Sequence, residues 1–520
     1  MTLEGNTGHP RRWAILGVLV VSLLVVVLDN TVLNVAMRTL ADPVHGLGAT
    51  QSQLEWSVNS YTLVFAGLLF SFGVLGDRWG RKRMLITGLV LFGLASFLSG
   101  YAETPSQLIA ARAFMGLGGA AIMPVTLSII SNVFDPRERG KAIGIWTGSV
   151  GLAIAIGPLL GGFLLEHFWW GSVFLINVPI IILGLIAVVI LVPESRDPSP
   201  GRIDFAGVLL SIVGLMALTY GIVDGGEHGF GRLSVWAWII GGAVVLALFI
   251  FLEARSTHPS LDVKLFRNSR FSASIAGIGL LFFASMGSFF FVSMYLQVVR
   301  DYSPMQSGAL LVPFAVGQMI FAPLSTNFVK RVGVRALSAF GILLSAGTFL
   351  SIAFWDSTTP VWTILVVFFL MGVGMASVMP PAMNVIMSSL PREKAGVGSA
   401  VSNTVRQVSA ALGLAVLGSI VAGVYRDQIA PAAAALPESA RDLASESITG
   451  AYGVAPKLGP AGQPLLEAAN TAFISAMHWA ALGSVAVAVL GAIVAVTWLP
   501  RKESAAPVPA PERELVGSAS

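Results

Sequence analysis

The stretch GDRWGRKR, residues 76–83, lies between two apolar runs at about 56–75 and 84–101. Each run holds about 20 residues, enough to cross a hydrocarbon core of about 30 Å as a helix. The link is too short to hold a domain, so the sequence predicts two antiparallel neighbouring helices with glycines at a tight reversal. Four cations mark a cytoplasmic loop, and a simple topological anchor is one interpretation. Asp77 is not needed for an anchor, and it favours docking on a helix N-terminus or on a cation.

The composition of the 520-residue chain is that of an integral membrane protein. Hydrophobic residues make up 55% and charged residues 11%, and the mean hydropathy is +0.80, whereas a soluble protein carries about 25% charged residues. No basic helix or aromatic–basic interleaving suggests nucleic-acid binding. The absence of cysteine excludes disulfides, thiolate metal sites and cysteine catalysis. The six histidines lack a second ligand at helical spacing, so we expect neither a metal site nor a cofactor.

The apolar runs predict fourteen transmembrane helices. An even number places both termini on one side, and the loops and tails of that side hold 23 Lys and Arg residues against six on the other. This asymmetry predicts that both termini are cytoplasmic. The spans lie at about 13–35, 56–75, 84–101, 107–130, 142–165, 172–192, 205–223, 235–252, 271–296, 307–328, 336–354, 361–388, 396–424 and 473–498.

An internal repeat divides the chain into two halves. The sequence GLGGAAIMP at 116–124 recurs as GVGMASVMP 256 residues later, and PRER at 136–139 recurs as PREK 255 residues later. The shift equals eight spans, which predicts two six-helix halves with two inserted helices, an arrangement typical of transporters. The predicted units are a cytoplasmic N-terminus (1–12), a first bundle (13–192), a linker with two extra helices (193–270), a second bundle (271–498) with an external loop (425–470), and a disordered tail (499–520).

Several motifs together resemble the fourteen-helix drug:proton antiporter group of the major facilitator superfamily, over nearly the whole chain. Residues 76–83 resemble the signature between the second and third helices of that superfamily. The sequence LDNTVLNVA at 28–36 resembles the first-helix motif of the group, although Met37-Arg38 stands where Leu-Pro is common. The resemblance implies an all-α integral membrane protein with a major facilitator-type fold.

Two further motifs carry the same resemblance. Residues 110–118, with Arg112, are similar to the fourth-helix motif and its intramembrane arginine. The sequence GPLLGG at 157–162 resembles the fifth-helix motif of exporters, although Ala153 replaces a usual glycine upstream. The residues of that helix to which we assign a role in preventing leak are Gly144, Gly157, Pro158, Gly161 and Gly162. Plain helix packing by small residues is the alternative.

Asp29 is the only acid well inside a predicted span, and Arg112 is its expected partner. Each lies about six residues from the outer end of its helix, so both sit roughly 10 Å deep and can meet. Because a charge inside the bilayer costs about 2.5–3.5 kcal/mol on insertion scales, a role beyond packing is favoured. We therefore predict that this pair couples transport to protons, and the alternative is a purely structural ion pair.

The basic stretch is predicted to close the cytoplasmic side between the two halves. Asp77 is expected to pair with the N-terminus of a second-half helix, and Arg81 with an acid such as Glu138. The full set assigned to this gate is Gly76, Asp77, Arg78, Gly80, Arg81, Lys82 and Glu138.

A substrate cavity between the halves is predicted to be mainly apolar, with adaptable methionine and phenylalanine side chains. For any one of these side chains the alternative is lipid contact or packing. For Arg406 the alternative is snorkelling to the membrane surface or a bond to the backbone. The residues assigned to the cavity are Asn34, Met123, Met286, Phe290, Asn403 and Arg406.

These features favour proton-coupled export of hydrophobic, often cationic, compounds from a bacterial cytoplasm. The alternative is a dedicated exporter of one metabolite, lipid or self-made antibiotic. A membrane enzyme or receptor is least favoured, because no span or loop gathers a nucleophile, a base and oxyanion donors. We expect a monomer whose partners are small hydrophobic molecules and the lipid bilayer, and whose energy source is the proton gradient.

Overall fold

The chain folds into a bundle of long helices. The computed structural model describes residues 8–42, 46–49, 51–196, 205–256, 263–390, 395–434 and 436–499. Within these ranges every long element is helical. The α-helices are α1 (Arg12–Ala41), α2 (Gln51–Trp79), α3 (Arg81–Gly100), α4 (Pro105–Val133), α5 (Pro136–His167), α6 (Ser172–Leu175), α7 (Asn177–Leu191), α8 (Phe205–His228), α9 (Leu233–Arg255), α10 (Ser269–Met294), α11 (Pro304–Leu310), α12 (Val312–Ile352), α13 (Val361–Ser388), α14 (Ala395–Ala433), α15 (Glu438–Glu446), α16 (Ile448–Val454) and α17 (Gly462–Trp498).

Thirteen helical segments of the described chain are long and apolar enough to cross a membrane. One of them, Met305–Ile352, has 48 residues, or roughly 70 Å at 1.5 Å per residue, twice the thickness of the hydrocarbon core. It breaks at Gly333, whose φ of 83° and ψ of 160° are not helical. The break divides it into two passes, so the described segments provide the fourteen passes that the sequence predicts.

Gly333 has a counterpart in the first half. Gly80 separates α2 from α3 with φ of 117° and ψ of 129°. Both values of φ belong to the region that side chains with a Cβ avoid. The stretches RWGRK at 78–82 and RVGVR at 331–335 share the spacing of one glycine between two basic residues, and this glycine makes the same reversal in each half.

The glycines of the repeat at 116–124 and 372–380 make equivalent contacts in the two halves. A Cβ at Gly116 would lie 2.5 Å from the carbonyl oxygen of Tyr61, and a Cβ at Gly372 would meet the carbonyl oxygen of Phe314. In each half a glycine thus lets the fourth helix pack directly on the backbone of the second. The same close approach joins the fourth helix to the third through the pairs Gly88–Gly118 and Gly341–Gly374.

The first half consists of α1–α7 and the second of α10–α17, and the two meet along two seams. At one seam α2 packs against α14, and at the other α5 packs against α12. The inserted pair α8–α9 lies outside the halves, with Ser211 of α8 against Ser71 of α2 and Phe249 of α9 against Phe70. We call the end of the bundle that holds Arg12 and Trp498 the inner end, because its basic loops predict that it is cytoplasmic, and the opposite end the outer end.

The segment between α14 and α17 differs from its predicted boundaries of 425–470. Helix α14 continues to Ala433 and α17 starts at Gly462, so fewer residues lie outside the long helices. The helix continues because Tyr425, Ile429 and Ala433 recur every four residues and are all buried, and the Tyr425 hydroxyl donates to the carbonyl of Ala444 at 3.1 Å. Within the segment, the run of residues 437–448 predicts a short amphipathic helix, and the structure contains it as α15.

The ends of the chain fall mostly outside the description. Residues 1–7 and 500–520, which include nearly all of the predicted tail, are not among the described residues. The same holds for residues 197–204 and 257–262 of the predicted linker.

Candidate functional site

The structure brings Asp29 of α1 and Arg112 of α4 together in a buried ion pair. The carboxylate accepts from Nη1 of Arg112, and the two side chains are 1% and 0% exposed. The guanidinium also donates from Nε to the backbone carbonyl of Ser57 at 3.1 Å and from Nη2 to Asn30 Oδ1 at 3.3 Å. The ring of Tyr61 lies 4.6 Å from its Cζ. Arg112 is therefore bonded on each of its nitrogens and stacked on an aromatic face.

A residue that the sequence analysis missed completes the surroundings of Asp29. Asn177, the first residue of α7, donates from Nδ2 to Asp29 Oδ1 at 3.3 Å and to Ser96 Oγ at 3.1 Å. It is 2% exposed. The available signal was one amide at the start of an otherwise apolar span. Three helices of the first half, α1, α4 and α7, thus converge on a single carboxylate.

This arrangement can respond to a proton in a defined way. A charged Asp29 balances Arg112, and a neutral one would leave a buried guanidinium without its counter-ion. Breaking a buried pair by neutralising one partner costs about 3–5 kcal/mol unless the surroundings rearrange. Protonation at this point is therefore able to move helices.

A second arginine, Arg406 of α14, lies where the two halves meet. Its Nη2 is 3.1 Å from Sδ of Met123 on α4, and its Cζ is 5.4 Å from the ring centroid of Phe282 on α10. One helical turn earlier, Asn403 donates from Nδ2 to the carbonyl oxygen of Ser399 at 2.9 Å. The predicted cavity residues Met123, Asn403 and Arg406 are thus close to one another.

Met286 and Phe290 lie further along α10 toward the outer end. They are 45% and 47% exposed and share a helical face with Phe282, because four residues advance the helix by about one turn. Ser288 lies on the opposite face and bonds Ser484 of α17 at 2.9 Å. The side chains of Met286 and Phe290 therefore point away from α17, on the same side of α10 as Phe282. Asn34 lies on α1, but its side chain is outside the described part of the structure.

At the inner end Asp77 joins the two halves. It accepts from Nε of Arg81 at 2.8 Å and from Ser128 Oγ at 3.2 Å within the first half. Its other oxygen accepts from the backbone N–H of Val397 at 3.2 Å. Val397 lies in the first turn of α14, so the contact expected between Asp77 and the N-terminus of a second-half helix is present.

The expected pair between Arg81 and Glu138 is wrong. Glu138 instead binds Nε of Arg12 at 2.6 Å, while Arg81 is 1% exposed and held by Asp77 at 2.7 Å. The reversal at Gly80 turns Arg81 back toward α2, whereas Glu138 sits in the first turn of α5 beside the start of α1.

The other residues assigned to the gate lie near Asp77 and Arg81. A Cβ at Gly76 would meet Val125 of α4 at 2.8 Å, so α2 and α4 approach closely there. Lys82 Nζ donates to the carbonyl oxygen of Val189 at 2.7 Å. Arg78 lines a surface cavity of about 390 Å³ together with Trp79.

The small residues of α5 serve two partners. Near the inner end a Cβ at Gly144 would lie 2.6 Å from the carbonyl oxygen of Ala322 on α12. Near the outer end Gly157 packs on Thr31 of α1, and a Cβ at Gly161 would lie 3.1 Å from the Val32 side chain.

The remaining two residues of this stretch lie against α11. Pro158 Cβ lies 2.6 Å from the position of a Cβ at Gly308. Gly162 is looser, with Met305 Cβ at 3.8 Å as its nearest neighbour. Together with Gly144, these contacts place α5 against the second half near both of its ends.

Comparisons with known proteins agree with this architecture. The family model described as Major Facilitator Superfamily matches residues 19–414. The multidrug efflux pump LfrA of Mycolicibacterium smegmatis is 36% identical over 94% of this chain and 96% of its own length. The methyl viologen resistance protein SmvA of Salmonella typhimurium is 34% identical over 91% and 95% of the two chains. The crystal structure of human MFSD10, an organic anion transporter, covers 92% of this chain and 100% of its own with a TM-score of 0.60 and 15% identity, a likeness of fold alone.

Proposed function

The chain belongs to the major facilitator superfamily, and on that premise we propose that it exports hydrophobic small molecules across the cell membrane in exchange for protons. It is a multi-pass secondary transporter and not an enzyme. Export, rather than uptake, is supported by relatives that are named an efflux pump and a resistance protein and that match over nearly their full length. The proton gradient is the proposed energy source.

The observation that carries proton coupling is the buried pair of Asp29 and Arg112. Asp29 is the only acid in the apolar middle of the described spans, and it is shared by α1, α4 and α7 through Arg112 and Asn177. Burial favours the neutral form of a carboxyl group and a nearby cation favours the charged form. A change in the position of Arg112 therefore changes how readily Asp29 holds a proton.

The inner seam supports alternating access. Asp77 is bonded to Val397 across the halves, and a Cβ at Gly73 would lie 2.5 Å from Ala400 Cβ. These contacts close the inner end, while Met286 and Phe290 remain exposed toward the outer end. We assign the structure to a state that is closed inside, from which substrate leaves outward and a proton enters.

The proposed setting is the bacterial cytoplasmic membrane with both termini in the cytoplasm. This orientation follows from the concentration of Lys and Arg in the loops of the inner end. It makes the inner end the side of substrate entry and the outer end the side of release.

The test is drug export in inverted vesicles energised by a proton gradient, with wild type and Asp29→Asn at matched protein levels. Asparagine imitates a permanently protonated carboxyl, so gradient-driven export should be lost while downhill exchange persists. Asp29→Glu should keep part of the activity, because it retains the carboxyl group. Equal gradient-driven rates for wild type and Asp29→Asn would remove Asp29 from the coupling site.

A further inference from the structure

Arg406 is a buried guanidinium that has no acidic partner among the side chains that the structure describes. The residue is 8% exposed, and its recorded neighbours are the Met123 sulfur at 3.1 Å and the Phe282 ring at 5.4 Å. Neither carries a formal charge. A buried cation without a counter-ion is costly, and a sulfur and a ring face repay only part of that cost. The site therefore has an unmet demand for a negative charge.

The two buried acids of the two halves, Asp29 and Asp77, cannot meet that demand; the third described buried acid, Glu253, lies at the inner end of the inserted helix α9. Asp29 is held by Arg112 and Asn177, and Asp77 is held by Arg81, Ser128 and Val397. By helix position, Asp29 also lies roughly 10 Å closer to the outer end than Arg406 does. Each of these two acids is balanced by its own arginine, which leaves Arg406 as an uncompensated positive charge between the halves. A cationic substrate would find no available carboxylate near it.

The walls beside Arg406 define the rest of the ligand. Phe282, Met286 and Phe290 form one apolar face that leads from the arginine toward the outer end, and such side chains adapt to flat or irregular hydrophobic bodies. On the other side, Asn403 is 1% exposed, and its Oδ1 has no hydrogen-bond partner among the described residues. An amide oxygen in that position accepts a bond from a hydroxyl or N–H group.

We propose that Arg406 is the subsite for the anionic group of an amphipathic organic acid, with the aromatic or apolar body of the substrate lying along α10. This inference rests on the proposed function, because it names the class of molecule that the exporter prefers. A carboxylate fits best, since the guanidinium can bind its two oxygens with parallel hydrogen bonds. The preference runs opposite to the cationic substrates that the sequence resemblance implies.

The experiment compares three fluorescent probes with one body and different charges. Pyrenebutyrate is an anion, pyrenebutanol is neutral and pyrenebutyl-trimethylammonium is a cation. Binding to the full chain in phosphatidylcholine nanodiscs is measured at about pH 7.5, and binding to empty nanodiscs is subtracted because all three probes partition into lipid. Wild type should bind the anion about tenfold more tightly than the alcohol, and the cation most weakly.

Variants at Arg406 locate the preference. Arg406→Gln should lose the tenfold advantage of the anion, so that pyrenebutyrate and pyrenebutanol bind with similar affinity, and Arg406→Lys should keep part of the advantage. The matched control is Arg426→Gln, the same change on the same helix at an exposed position, which should behave as wild type. These variants are expected to differ only in the ratio of their affinities for the anion and the alcohol. A general loss of folding would abolish binding of the alcohol as well.

Four outcomes overturn the inference: equal affinity for all three probes, tighter binding of the cation, an anion preference that survives Arg406→Gln, or no binding of any of the three probes. The proposed function is tested separately by drug export in vesicles. A protein that exports cationic drugs and ignores pyrenebutyrate refutes the anion subsite and leaves export intact. A protein that exports nothing in vesicles refutes export, whatever the probes show.

Discussion

Replacing Asp77 with asparagine should open the inner seam without unfolding the protein. In the structure, one carboxylate oxygen of Asp77 accepts from the backbone N–H of Val397, and this is a bond between the two halves. The second oxygen accepts from Arg81 and Ser128, which are both residues of the first half. The bond to Val397 exists only while the seam is closed, so its strength adds directly to the closed state.

The magnitude follows from the change in bond type. A hydrogen bond to a charged group contributes about 1.5–3 kcal/mol, and one between neutral groups about 1 kcal/mol. The amide oxygen of asparagine can still accept from Val397, so the closed state loses about 0.5–2 kcal/mol. At 1.4 kcal/mol per factor of ten, the open fraction should rise roughly 2- to 30-fold.

The assay uses a single cysteine in a chain that has none of its own. Ser399 is 0% exposed and lies two residues after Val397 on α14. A Ser399→Cys protein in inverted vesicles should react slowly with a maleimide, and adding Asp77→Asn should raise the rate by the same 2- to 30-fold factor. The control is Asp135→Asn, which removes a carboxylate that caps α5 within the first half through Arg137, and which retains a good N-cap. Equal labelling rates with and without Asp77→Asn would refute the reasoning, and so would an equal rise in the control.

Three further changes test other parts of the structure. Asn177→Ala removes a donor from the Asp29 carboxylate and should slow gradient-driven export in vesicles more than Ser96→Ala, which removes two neutral bonds, to Asn177 and to the carbonyl of Phe174; equal effects would exclude a role for Asn177 at Asp29. Gly157→Ala forces a methyl group against Thr31 and should lower thermal stability in detergent by about 1–3 kcal/mol, whereas Gly162→Ala, with 3.8 Å to its nearest neighbour, should change it little; equal melting temperatures would contradict this packing. A cysteine replacing Ser445 should be labelled from outside the cell and one replacing Ser504 only after permeabilisation, and labelling of the latter in intact cells would reject the orientation.

The sequence predicted the architecture well because the bilayer imposes few choices. A length of about 20 apolar residues suffices to count the passes, and the excess of basic residues in alternate loops predicts their orientation, which stays a prediction. The repeat was visible because glycines such as Gly116 and Gly372 allow the same backbone contact in each half. The depth of Asp29 and Arg112 along their helices predicted that they could meet, since two residues at one depth on neighbouring helices need only face each other.

Predictions failed or were missed where rotation and tertiary packing decide the outcome. Arg81 and Glu138 both lie at the inner end, but the reversal at Gly80 and the approach of Arg12 determine which acid each arginine meets. Asn177 reaches Asp29 only because α7 packs beside α1 and α3, and no periodicity in the sequence records that neighbourhood. The predicted loop at 425–470 was too long at both ends. The apolar residues around Ile429 are buried by the short helices that follow α14, and this tertiary contact is not visible in the sequence.

Helix α5 links the buried pair of Asp29 and Arg112, our proposed coupling site, to the seams. Its outer part packs Gly157 on Thr31, two residues from Asp29, and its inner part packs Gly144 on Ala322 of the second half. Small residues at both contacts leave little room for α5 to slide independently of α1 or α12, because the α5 backbone is already in contact with the Thr31 side chain and the Ala322 backbone. On the proposed coupling, protonation of Asp29 would release Arg112 and shift α1, α5 would shift with it, and the seam with α12 would either move or break. The Asp77–Val397 bond at the other seam opposes that movement. The proposed proton site and the proposed inner gate would therefore act on the same rigid unit from its two sides, although no described contact joins them.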